Sequence, residues 1–70
     1  VNVGEPLGKG RTLDDGSYTR SFTNAEVFYN PEGNQNIHIE FNLPHQSSAT
    51  GNVGTEFTIQ PMDGDIFIKL

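Results

Sequence analysis

The chain contains no cysteine, which excludes a disulfide scaffold and any thiolate-held metal. That absence leaves the compartment open, because exported chains can also lack cysteine. Tryptophan is absent too, so a sugar-stacking platform would have to be built from other aromatics. Cations are scarce: four Lys and Arg stand against nine Asp and Glu, for a formal net charge of −5. Such a surface repels phosphate backbones and anionic headgroups, so neither nucleic acid nor a membrane face is an expected partner. No apolar stretch approaches the roughly 18–20 residues that span a bilayer, and no membrane insertion is expected. No basic start followed by an apolar run marks a signal peptide within these residues. No N-x-[ST] sequon occurs. No segment repeats apolar residues at i, i+3, i+4 and i+7, so no substantial helix is expected.

Seventy residues suffice for one small domain. A chain this short buries only about 60% of the surface its unfolded form exposes. With 33% hydrophobic residues the core is marginal. Five Phe and two Tyr, with Ile in short runs, nevertheless supply too many anchors for a disordered segment.

Residues 1–16 read as a loop-like N-terminal arm, punctuated by Gly4, Pro6, Gly8, Gly10 and Gly16. From Ser17 to the end, residues 17–70 read as short β-strands. Tyr18, Arg20 and Phe22 alternate with Thr19, Ser21 and Thr23. Asn24-Ala25 is a two-residue hairpin candidate, weakened because Ala resists positive φ. The strand Glu26–Tyr29 follows, stopped by Asn30-Pro31. A turn at Asn24-Ala25 sets Phe22 opposite Val27, Arg20 opposite Tyr29, and Ser21 opposite Phe28. Tyr18, Arg20, Phe22, Val27 and Tyr29 then share a surface, the better candidate for the core. Phe28 points the other way.

Ile37, Ile39 and Phe41 alternate with His38, Glu40 and Asn42 in the clearest strand, one face dry and one wet. Pro44 is expected to close it, leaving His45–Gly54 as a polar loop. Phe57 and Ile59 alternate with Glu56, Thr58 and Gln60. Pro61-Met62-Asp63-Gly64 carries turn chemistry, with Gly64 at a positive-φ position. Ile66, Ile68 and Leu70 share a face of the last strand, with Phe67 opposite. The whole reads as an all-β, antiparallel β-sandwich or meander of about five strands.

Chemistry is thinly represented. His38 lies on a polar strand face and His45 in a loop, neither beside a G-x-S-x-G nucleophile; both read as solvated. Asp14-Asp15 and Asp63-Gly64-Asp65 lack the oxygen-ligand series of a calcium loop and read as turns. Glu40 and Glu56 can face each other on neighbouring strands. Glycoside hydrolysis, however, needs one acid desolvated across a cleft, and a chain this small has little room for one. Gly8-Lys9-Gly10 lacks the rest of a phosphate loop. No catalytic residue, cofactor or metal is assigned. Arg20 on the expected core face reads as a snorkelling or ion-paired side chain. Phe28 and Phe67, pointing away from that face, read as a second packing layer or a contact with something larger.

Gly4-Glu5-Pro6-Leu7-Gly8, the run from Asp15 to Pro31 and the segment Pro61-Met62-Asp63-Gly64-Asp65-Ile66 together resemble the C-terminal β-domain of barrel-type glycoside hydrolases. Such domains carry a pattern of the form D-G-x-Y-x-R-x-F-x-N-G-x-V-x-x-N-P; Ala25 stands here where that pattern has Gly. In those enzymes the catalytic carboxylates belong to the barrel. The resemblance therefore implies a non-catalytic accessory module, in an extracellular or periplasmic setting, that packs on the catalytic barrel of a parent glycosidase. Two other roles compete: a self-assembling extracellular structural subunit that adds strands between copies, and a carbohydrate-binding module. Tyr18, Phe28, Tyr29 and Phe67 are the candidate contacts with a partner or a glycan.

Overall fold

Residues rich in β-branched and aromatic side chains, broken at Gly and Pro, form six antiparallel strands in a computed structural model that describes residues 2–70. They are β1 (Arg11–Thr12), β2 (Tyr18–Ser21), β3 (Ala25–Asn30), β4 (Ile37–Ser47), β5 (Val53–Ile59) and β6 (Asp63–Lys69). The protein is all-β. One sheet contains all six, in the order β1-β2-β3-β6-β4-β5. The last strand thus inserts between the β1–β3 meander and the β4–β5 hairpin, satisfying edge groups of both β3 and β4.

The arm of residues 1–16 is partly woven into the sheet, contrary to the expectation of a loop. Arg11 and Thr12 pair with Thr19 and Tyr18, and Pro6 bridges Phe22. Backbone bonds from Leu7 to Ser21, Thr23 to Glu5 and Asn24 to Val3 run along it. Val1 lies outside the described residues.

The β2–β3 hairpin turns one residue earlier than its sequence indicated. Arg20 pairs with Val27, Tyr18 with Tyr29 and Thr19 with Phe28. Phe22 N–H donates to the Ala25 carbonyl at 2.8 Å, leaving Thr23-Asn24 as the loop. Ala25, poorly suited to a positive φ, thereby stays out of the turn. A shift of two residues keeps every side chain on its expected face.

What changes is which face is dry. Tyr18 and Tyr29 remain 47% and 46% exposed, whereas Thr19 is buried and Phe67 is 1% exposed. Phe67, Ile37, Ile39 and Ile59 form the core, with Phe28, Phe41 and Phe57 packed against it. Phe67 has ring centroids 5.9 Å from Phe28, 5.5 Å from Phe41 and 4.6 Å from Phe57. These are tilted and edge-on arrangements of the kind that stabilise aromatic clusters. The expected core face of Tyr18, Arg20, Phe22, Val27 and Tyr29 is therefore the outer one. On β2 the inner face carries only small hydroxylated residues, and they are satisfied: Thr19 Oγ1 donates to the Val27 carbonyl, and Ser17 bonds Asp15 through both N–H and hydroxyl. No buried side-chain N or O among the described residues lacks a partner.

The alternation of Ile37, Ile39 and Phe41 holds, but β4 does not stop at Pro44. Its ladder with β5 runs to Glu40–Glu56, breaks, and resumes at His45–Gly54. Proline sits within the interruption, where no ladder donor is needed. Beyond it His45, Gln46 and Ser47 pair with Lys69, Ile68 and Phe67. Positive φ falls on Met62 rather than Gly64. Glycine is required at 64 for another reason: a Cβ there would stand 2.8 Å from the Phe28 carbonyl oxygen.

At one end the curled sheet is tied to itself by Asn30. This residue is fully buried. Its amide donates to the Gln35 carbonyl at 2.8 Å and to the Ile59 carbonyl at 2.9 Å. Its Oδ1 accepts from Asn34.

Candidate functional site

Residues directly opposite each other in an antiparallel pair share a face. Tyr18 and Tyr29 are such partners, as are Val27 and Ile66. Period-two alternation brings Val27 beside Tyr29. Together they form an apolar strip on the outer face of β2, β3 and β6. Tyr29 and Gly64 are also paired, and the missing side chain at Gly64 leaves the Tyr29 ring uncovered on that flank. A Cβ on Gly10 would lie 1.8 Å from the Tyr18 hydroxyl, so Tyr18 rests against the N-terminal arm. A shallow depression of about 470 Å³ adjoins the strip, with Val27, Tyr29 and Ile66 in its wall. Two phenol rings, half bare and held by strands, can stack on a flat apolar or sugar surface while their hydroxyls hydrogen-bond.

Of the four sequence candidates, the structure brings Tyr18 and Tyr29 together on this open face. Phe28 and Phe67 turn inward to each other, and Phe67 is too buried to meet a partner.

Arg20 is not ion-paired. Its Nε donates to the Gly8 carbonyl at 3.0 Å, and its guanidinium carbon stands 5.3 Å from the Phe22 ring centroid, a cation–π distance. Arg20, Lys9 and Arg11 line a hollow of about 310 Å³ between the N-terminal arm and β2. No described carboxylate lies within ion-pair distance of any of them; among the described residues the only Lys or Arg in an ion pair is Lys69, 3.7 Å from Glu26.

His45 is not solvated. It is buried, its ring stacks on Phe41 at 3.8 Å, and Nδ1 lies 2.8 Å from the Leu43 carbonyl oxygen. Beside it Phe41, Leu43, Pro44 and Leu70 border an apolar groove of about 400 Å³. His38, by contrast, is exposed. Its Nε2 lies 3.4 Å from Glu40 and 3.3 Å from Glu56. Sequence reading placed Glu40 opposite Glu56 and His38 on the wet face. It did not unite the three, although the i, i+2 spacing of His38 and Glu40 was the available signal.

The remaining acids have local duties. Asp65 accepts from the buried Ser47 hydroxyl and from the Ala49 N–H at 3.0 Å, clamping the β4–β5 turn to β6. Asp15 accepts from the Ser17 hydroxyl and N–H. The side-chain bond and then the backbone bond hold its carboxyl below the usual aspartate range, because both favour the charged form.

The chain matches no family model, no curated protein and no solved structure.

Proposed function

We propose that this chain is a non-catalytic β-module of the type that accompanies barrel glycoside hydrolases, and that the Tyr18–Tyr29 face is where it seats on its larger neighbour. The observation that carries this reading is the inverted hydrophobicity of β2. Along β2 and its flanks Ser17 and Thr19 are buried, while Tyr18 and its cross-strand partner Tyr29 stand half exposed on the other face. Leaving two aromatic rings in water above buried small hydroxyls gives an isolated domain little hydrophobic gain from these strands. That gain is recovered when a second body covers the outside.

The surroundings of the acids support a non-catalytic role. A glycosidic acid is kept desolvated so that its proton stays on near neutrality. The side chains of Glu40 and Glu56 are 70% and 64% exposed. The pattern from Asp15 to Pro31 and the Pro61–Ile66 closure support the link to glycosidases and, through it, an extracytoplasmic setting.

A second reading is favoured by the same tyrosine pair, whose flat rings suit stacking on a polysaccharide. One set of measurements on the purified chain separates these. It is incubated with soluble polysaccharides while reducing ends and binding are followed, beside the double variant Tyr18→Ser, Tyr29→Ser. No turnover and no binding support the seating face. Binding abolished in the double variant transfers the face to a glycan. Turnover of any glycan overturns the non-catalytic reading. Sedimentation that depends on concentration and on the two tyrosines assigns the face to copies of the chain itself.

A further inference from the structure

We propose that His38, Glu40 and Glu56 form a surface site for one divalent transition-metal ion of the zinc class. The site stands on the β4–β5 hairpin, away from the tyrosine face, and is independent of the reading given to that face.

The strand register builds it. His38 and Glu40 are two residues apart on β4, so their side chains share a face. Glu56 is the direct cross-strand partner of Glu40. Like charges directly opposite in a ladder are destabilising unless a cation lies between them. No Lys or Arg supplies one here: among the described residues, the only ion-pair neighbour of either glutamate is His38. In a chain with four Lys and Arg, three of them line the hollow between the N-terminal arm and β2 and the fourth pairs with Glu26.

The two His–Glu separations match those of a metal's ligand shell, and the two carboxylates lie near enough to join it. One ligand atom from each residue can be chosen so that all three lie within 4.8 Å of one another. Nε2 is 3.4 Å from a Glu40 oxygen and 3.3 Å from a Glu56 oxygen. Tetrahedral zinc with bonds of about 2.0–2.1 Å requires ligand atoms about 3.3–3.4 Å apart. A single Nε2–H can point well at only one of the two oxygens, whereas a metal engages all three groups together. One imidazole and two carboxylates make an N,O donor set that suits zinc and its neighbours rather than the all-oxygen shells of calcium or magnesium. Three protein ligands leave a position facing solvent, as in open zinc sites. Two hydrogen-bonded strands hold the ligands, which limits the ordering cost of binding.

The test titrates zinc chloride into the whole chain at neutral pH in a non-chelating buffer, by calorimetry and by amide and imidazole NMR. The expected result is saturable binding of one ion per chain. Resonances of His38, Glu40 and Glu56 shift, and the imidazole of the buried His45 serves as an unmoved internal control. His38→Ala weakens binding by ~10-fold or more, as loss of one of three ligands should. Glu40→Gln with Glu56→Gln does the same. All three positions are exposed, and circular dichroism verifies that the variants keep the sheet. Absence of saturable binding, binding unchanged by His38→Ala, or calcium binding as tight as zinc overturns the proposal.

Discussion

The side-chain amide of Asn30 donates to the main-chain carbonyl of Ile59 at 2.9 Å, joining the end of β3 to the end of β5. These strands lie far apart in the sheet order, with β6 and β4 between them. The bond therefore holds the sheet in its curl and keeps Ile59 over the Phe67 cluster. Asn30→Ala leaves the Ile59 and Gln35 carbonyls without this donor. The Ile59 bond is buried and the Gln35 bond only partly so; at about 1–3 kcal/mol for a buried group left unpaired, a loss of about 1–3 kcal/mol is expected in urea unfolding. A loss under about 0.5 kcal/mol, the range of an ordinary surface change, would contradict the role given to this residue.

Phe67 touches Phe28, Phe41 and Phe57 and is the largest fully buried side chain. Phe67→Ala is expected to cost about 3–5 kcal/mol. A domain of this size holds only about 4–10 kcal/mol in total. The variant should therefore lose a large share of its stability, with its core amide protons exchanging on the order of 100-fold or more faster than in the parent chain. Retention of native exchange protection would contradict the assignment of the core.

Tyr18→Ser and Tyr29→Ser should behave oppositely. Half-exposed positions contribute little to the isolated fold, so each change should cost about 1 kcal/mol or less. Thermal unfolding of the single variants measures this. A loss as large as that of Phe67→Ala would place the tyrosines in the core rather than on a contact face.

Asp15 carries a pH signature. Hydrogen bonds from Ser17, first through its side chain and then its backbone, lower its folded-state pKa. A depressed carboxylate pKa contributes stability that is full above the unfolded value and is lost as pH falls through the folded value. Carbon-detected NMR titration should therefore give Asp15 a midpoint below the ordinary aspartate value of about 3.9. Ser17→Ala should raise that midpoint, since it removes the foremost cause. A midpoint at or above the ordinary value would contradict the geometry of this turn.

Sequence alone reveals the β4 and β5 alternations because Ile37, Ile39, Phe57 and Ile59 are apolar where they face inward and His38, Glu40, Glu56 and Thr58 are polar where they face out. It misleads on β2 and β3 for the converse reason. The buried hydroxyls of Ser17 and Thr19 are satisfied by Asp15 and by the Val27 carbonyl, so small polar residues can sit inside while tyrosines remain outside. Pattern reading assigns burial by polarity and is blind to that compensation. It also stops β4 at Pro44, since only the three-dimensional ladder shows that proline falls where pairing is interrupted. The His38, Glu40 and Glu56 group is half legible: spacing gives the first two, and only the register adds the third.

The reading of the Tyr18–Tyr29 face as a seat for a larger body is decided by hydroxyl-radical footprinting of the purified chain beside the protein as its source cells hold it. Both tyrosines should be readily oxidised in the purified chain and at least ~5-fold protected in the cellular sample, as buried interface aromatics are. Equal oxidation of Tyr18 and Tyr29 in the two samples would contradict it.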